Sequence, residues 1–173
     1  MSEGSSNTYN NRLWYARQTF YRLYDLAVMN EQQLKGIVFT YMLMKEYNIN
    51  EDITIDGLKS IKDKIEKEAS TTDHKTKTLA LKKLDVILTL IALKEADNKQ
   101  AWSRLLVTNR LIDEGIIVVY NNSSDNADGN HNSDKNIAYD ITIDVEKTMQ
   151  NIAKKKEELE REIIELKKKQ YYA

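Results

Sequence analysis

The residue types that most enzymes and metal sites require are scarce in this chain of 173 residues. It contains two histidines and no cysteine, which excludes disulfides, thiolate metal sites and a cysteine nucleophile. His74 falls at the start of a predicted helix and His131 in an Asn-rich segment, and neither has a carboxylate one turn away on a predicted helix. No glycine-rich phosphate loop and no His-Glu-x-x-His pattern occurs. We therefore predict a protein that is not an enzyme and that has no cofactor and no metal site.

The densest carboxylates lie near the C-terminus, where they alternate with lysine and arginine. Glu157 and Arg161 stand four residues apart, as do Glu165 and Lys169. Pairs at this spacing meet on the surface of a helix. The pattern is typical of the solvated flank of a long helix, and it does not indicate an acid–base or metal site.

One segment partly matches a calcium-binding loop. Ser124, Asn126, Asp128 and Gly129 occupy positions 1, 3, 5 and 6 of an EF-hand frame. Position 1 then lacks its carboxylate, and Lys135 stands at position 12, where a bidentate glutamate is needed. Residues 121–136, rich in Asn, Ser, Asp and Gly, are therefore predicted to be a flexible loop.

The last thirty residues carry the clearest structural pattern in the chain. Aliphatic residues recur every seven positions and alternate with a second set, as in a coiled-coil seam. Because the seam is narrow and the helix highly charged, it requires a partner helix from the same chain or from another copy. We predict a coiled-coil dimerisation helix over 144–173, with the first or fourth helix of the same chain as the alternative partner. The predicted dimerisation residues are Val145, Met149, Ile152, Leu159, Ile163 and Leu166.

The preceding residues predict a helical bundle over 12–143, after a flexible tail over 1–11. Proline is absent and glycine occurs five times, which favours long helices. Five helices are predicted. The first covers 12–29, the second begins at a capping box formed by Asn30 and Gln33, and the third lies around Leu58. The fourth runs from Asp73 to Ala96, and the fifth covers 98–114 and ends at Gly115. In the fourth helix, Leu81, Leu84, Leu88 and Ile91 form one predicted apolar stripe, and Val86, Leu90 and Leu93 form another. Alternating and β-branched residues then predict a β-hairpin over 116–143. The fold class is mainly α, with one hairpin and a long C-terminal coiled-coil helix.

The first helix interleaves arginines with aromatic residues, among them Trp14, Tyr21 and Tyr24. Such a surface can stack on nucleic acid or bind a protein. The alternative interpretation is that Phe20 and Tyr24 belong to the core and that the arginines point in different directions.

Charge is unevenly distributed along the chain, although the net charge is −1. Residues 74–110 carry a net +5 and residues 111–144 a net −6. A local excess of charge influences which molecules the protein binds rather than which fold it adopts. No signal-peptide pattern and no apolar stretch long enough for a membrane span occurs, so we expect a cytoplasmic protein without membrane contact.

The fifth helix and the hairpin resemble the end of a winged-helix domain. Arg110-Leu-Ile-Asp-Glu-Gly115-Ile-Ile117 is similar to the pattern that closes a recognition helix before a two-stranded wing. The order of helices, hairpin and long C-terminal helix over 78–171 also resembles MarR, PadR and Lrs14-like regulators. The resemblance implies a set of DNA-facing residues. These are Lys99, Gln100, Ser103, Arg104, Thr108, Asn109 and Arg110. The acidic loop residues Asp125, Asp128 and Asp134 depart from the usual basic wing.

Two functions therefore remain open. The first is a homodimeric, winged-helix-like transcriptional regulator that binds double-stranded DNA. The second is a structural or scaffold subunit of a protein assembly, for example a viral or nucleoprotein one, that binds partners through its bundle and coiled coil.

Overall fold

A computed structural model describes residues 2–122 and 139–172 of the chain, with side chains over 10–122 and 139–171. Within these residues six helices and two short strands follow one another. They are α1 (Ser2–Ala27), α2 (Glu31–Glu46), α3 (Ile55–Ala69), α4 (His74–Glu95), α5 (Lys99–Asp113), β1 (Val119–Asn121), β2 (Ile141–Ile143) and α6 (Val145–Tyr172). The mainly helical class, the two-stranded antiparallel sheet and the long C-terminal helix are confirmed. Most of the predicted loop, with His131 and the calcium-like frame, lies outside the described residues.

Local signals placed several helix ends correctly. The backbone N–H of Asn30 donates to Gln33 Oε1 over 3.0 Å, and the backbone N–H of Gln33 donates to Asn30 Oδ1 over 2.9 Å. This is the predicted capping box. At the end of α5, Gly115 has a φ of +81°, and the N–H of Ile116 bonds to the carbonyl of Leu111 over 3.0 Å. Glycine is favoured here because side chains rarely adopt that left-handed conformation.

Other boundaries differ from the predictions. α1 begins at Ser2, so residues 2–11, predicted as a tail, continue the helix. The strands are three residues each and begin later than predicted, since β1 starts at Val119. The polar end of the hairpin is fixed by Asn122, whose side chain donates to Asp140 Oδ1 over 3.1 Å and accepts from the Thr142 hydroxyl over 2.6 Å.

The chain divides into two compact units. Unit 1 comprises residues 1–34, 107–118 and 143–173, and unit 2 comprises residues 35–106 and 119–142. In unit 1, α1 packs against α6. The buried side of this helix pair is formed by Leu13, Ala16, Thr19, Leu23, Leu26, Ile152, Leu159 and Leu166. The residues seven apart on α6 are thus covered within a single chain, as in the intramolecular alternative.

In unit 2, α3 packs against α4. The predicted apolar positions Leu58, Ile61 and Ile65 of α3 are buried. The first predicted stripe of α4 is confirmed at Ile91, which is buried, and at Leu84, which packs on the core, but it is wrong at Leu81 and Leu88, which are each 51% exposed. The buried side of α4 is instead formed by Ala80, Lys83, Ile87, Leu90 and Ile91. A lysine therefore occupies a core position that the stripe did not include.

Candidate nucleic-acid interface

The first half of α5, which lies in unit 2, presents polar side chains to solvent. Asn98 caps the helix, since its side-chain Oδ1 accepts the backbone N–H of Ala101 over 3.1 Å. Lys99, Gln100 and Arg104 are exposed, and Ser103, on the same side of the helix, is half-buried. Four of the seven residues that the winged-helix resemblance implied for DNA contact thus lie on one side of two helical turns.

The opposite side of this half-helix is anchored by Trp102. The indole is buried, and Lys94 Nζ lies 4.7 Å from its ring centroid. Lys94 also donates to the backbone carbonyl of Glu51 over 3.1 Å. A cation over a Trp face is attracted to the ring and favours one orientation of it. These contacts hold the Trp102 side of the helix against unit 2, with Lys99 and Arg104 on the other side.

In the second half of α5, which lies in unit 1, side chains contact residues of the same unit. Thr108 is buried and accepts a hydrogen bond from Arg22 Nε over 2.8 Å. Arg110 lies 4.7 Å from the Tyr15 ring centroid and 3.7 Å from Glu114 Oε2. The assignment of Thr108 to a groove-facing side is therefore corrected, because the helix turns that side into the core of unit 1. Asn109 is half-buried.

A cavity of about 640 Å³ lies beside Arg110 in unit 1, between α1, the end of α5 and α6. Its floor is apolar, with Ala16, Leu111 and Leu159. Its charged lining residues are paired with one another: Arg12 with Glu162 at 3.7 Å, and Lys155 with Glu114 at 3.5 Å. Glu114 is shared between Arg110 and Lys155, so the three cations and two carboxylates of the lining leave one positive charge in excess.

A buried charge cluster in unit 2 was missed by the sequence interpretation. Lys83, 1% exposed, lies 3.1 Å from Glu46 Oε1 and 3.7 Å from Glu68 Oε2. Its Nζ lies 5.6 Å from the Tyr47 ring centroid and 5.0 Å from that of Tyr139. The signal that could have found it is the spacing of Lys83 between Ala80 and Ile87, on the buried side of α4. Two carboxylates surround one ammonium group, so the cluster has a net negative charge and is a structural centre rather than an anion site.

The tyrosines and carboxylates of this cluster change one another's pKa values. The Tyr139 hydroxyl donates to Glu46, and the Tyr47 hydroxyl donates to Glu68 over 3.3 Å. Burial and the nearby carboxylates raise the pKa of both tyrosines above the usual value. Burial acts to raise the pKa of Glu46, but the hydrogen bonds from Tyr139 and Lys83 and the charge of Lys83 outweigh it, so that this pKa is lowered. Ionised Glu46 beside neutral Tyr139 is thus the favoured state at neutral pH.

His74, the described histidine, is exposed at the start of α4. It borders a cavity of about 320 Å³ in unit 2 that is also lined by Lys75, Lys82 and Asp140. Among residues with described positions, no group of three or more His, Cys, Asp or Glu could hold a metal ion. None of the helices in this part of the chain combines the length and apolarity that a membrane span requires.

No family model matches the chain, and neither a curated protein nor a solved structure does. The winged-helix resemblance therefore depends on the residues that carry it, the end of α5 and the strands that follow.

Proposed function

We propose that the protein binds double-stranded DNA through the first half of α5, as a winged-helix-like regulator. The observation that carries the proposal is the exposure of Lys99, Gln100 and Arg104 on one side of a capped and anchored helix. In helix-turn-helix proteins the recognition helix contacts base edges with its N-terminal residues. Arg, Lys and Gln are the side chains that pair with guanine and adenine in the major groove.

The exposed lysines of α4 supply the electrostatic part of the proposal. Lys75, Lys77 and Lys82 are exposed in unit 2, and cations of this kind bind phosphates without reading sequence. Lys83 does not contribute, because Glu46 and Glu68 compensate its charge. The basic surface is therefore smaller than the +5 of residues 74–110 suggests, and we expect moderate affinity for random-sequence DNA.

A fluorescence-anisotropy titration with labelled random-sequence duplex tests the proposal. We expect micromolar binding at low salt that weakens steeply as salt rises, because each neutralised phosphate releases counterions. Lys99→Ala/Arg104→Ala should weaken binding by about tenfold or more. The matched control is Lys64→Ala/Lys67→Ala, which removes the same charge from exposed positions of α3. An equal loss in both variants, or no binding at low salt, would contradict the proposal.

A second candidate function is that of a subunit in a protein assembly. It is favoured by Leu81 and Leu88, which stand seven residues apart on α4 and are both half exposed. Exposed apolar residues that line one side of a helix are suited to a partner helix. Binding of this kind should be insensitive to salt, whereas DNA binding should weaken as salt rises.

A further inference from the structure

The outer side of α1 carries a row of exposed apolar residues. Trp14 and Tyr21 stand seven residues apart, and Val28 follows after seven more, in the turn that ends the helix. They are 50%, 58% and 84% exposed, and Tyr24 between them is 56% exposed. The buried side of α1 packs on α6. Tyr24 stands at the edge of the exposed row nearest α6, since Lys156 Nζ lies 4.4 Å from its ring centroid. We name the row Trp14, Tyr21, Tyr24 and Val28 the outer α1 face.

The size of this face exceeds what scattered surface residues explain. Each half-exposed aromatic side chain presents on the order of 100 Å², so the four residues together present roughly 400–500 Å². Contiguous apolar patches of that size on a soluble chain commonly mark an interaction site. Trp and Tyr are also the residues that dominate binding energy at interfaces.

The charges on this side of α1 indicate which partner binds the outer α1 face. Arg17 lies four residues before Tyr21 and Asp25 four residues after it, and both point to the same side as Tyr21. If two copies of α1 pair antiparallel about Tyr21, Arg17 of one copy lies at the level of Asp25 of the partner subunit. The same symmetry places Trp14 against Val28 of the partner subunit and brings the two Tyr21 rings together. A parallel pair would instead bring each Arg17 against its own copy.

We infer that two copies of this chain associate through the outer α1 face in an antiparallel, two-fold arrangement. The face is self-complementary in the placement of its apolar residues and in charge, as a two-fold interface requires. Asp25 lies 3.5 Å from Arg22 but is itself 58% exposed, so its carboxylate can contact a second cation across the interface. The seam of α6 cannot serve the same role while α1 covers it. This inference goes beyond the proposed DNA binding and does not rest on it.

Charge exchange at the two positions tests the inference on the full chain. The mass in solution would be measured by light scattering and sedimentation across micromolar concentrations. We expect a dimer for the native sequence. Arg17→Asp and Asp25→Arg should each weaken the dimer by at least about tenfold, since each places like charges opposite one another twice. An equimolar mixture of the two variants should recover a heterodimer, and the double variant Arg17→Asp/Asp25→Arg should recover a homodimer.

The recovery separates a direct contact from a folding defect, because a variant that fails to fold cannot be rescued by its complement. Circular dichroism of each variant supplies the independent check of folding. Ile164→Ser is the matched control, since Ile164 is 48% exposed on α6; it should leave the mass unchanged. A monomeric native chain, or a dimer that persists in both single variants, would overturn the inference. So would failure of the mixture and of the double variant to recover association, or dissociation by Ile164→Ser alone.

Discussion

Lys83 Nζ lies 3.1 Å from Glu46 Oε1, and this contact joins the middle of α4 to the end of α2 inside unit 2. Glu68 of α3 contacts the same ammonium group at 3.7 Å. The ring of Tyr139, just before β2, lies over it at 5.0 Å. A single lysine side chain thus connects three helices and the segment that leads into the second strand.

Loss of the Lys83 charge should destabilise unit 2 strongly. Lys83→Met keeps most of the buried aliphatic volume but leaves Glu46 and Glu68 close together without a cation. We expect a loss of about 1–3 kcal/mol in the free energy of unfolding, because Glu46 and Glu68 lose their cation while their side chains, 22% and 33% exposed, stay partly solvated. Urea titration followed by circular dichroism measures it. Lys82→Met, one residue earlier and exposed, is the control and should change stability by less than about 0.5 kcal/mol. Equal effects of both variants would contradict the role of the cluster.

The same cluster predicts a loss of stability in alkali. The folded pKa of Tyr139 and of Tyr47 is raised above the unfolded value of about 10. A raised pKa contributes stability that is present below the unfolded pKa and that is lost as pH rises above it. Thermal unfolding should therefore shift to lower temperature above about pH 10. Tyr139→Phe should make this alkaline decline shallower, although it lowers stability at neutral pH by removing the hydrogen bond to Glu46. An unchanged slope in the variant would show that other groups cause the decline.

Features set by neighbouring residues were predictable from the sequence. The capping box at Asn30 and Gln33 and the turn at Gly115 each depend on a few consecutive residues, and both were predicted where they occur. The seven-residue pattern of α6 likewise identified the side that is buried. The partner helix of α6 could not be deduced, because a heptad pattern shows that the apolar side must be covered but does not identify the helix that covers it.

Features set by distant residues were not predictable in the same way. Lys83 reads as a surface lysine in the sequence, and only the convergence of Glu46, Glu68 and Tyr139 allows its burial. Thr108 likewise reads as a polar helix residue that could face a groove. Its burial depends on Arg22, 86 residues away in the sequence. The stripe of α4 was misjudged for the same reason, because α4 has more leucines than its buried side in unit 2 can hold.

The packing of α1 on α6 within one chain leads to the last prediction. Leu159→Ala removes a buried side chain from this seam and should lower the free energy of unfolding by about 2–4 kcal/mol. Because the contact lies within the chain, the variant should keep the native mass in solution, and the loss should be the same at low and high protein concentration. Ile164→Ala, on the exposed side of the same helix, should change stability by less than about 0.5 kcal/mol. If Leu159→Ala instead reduced the mass in solution and left the folded chain equally stable, α6 would be the dimerisation helix that the heptad pattern first indicated.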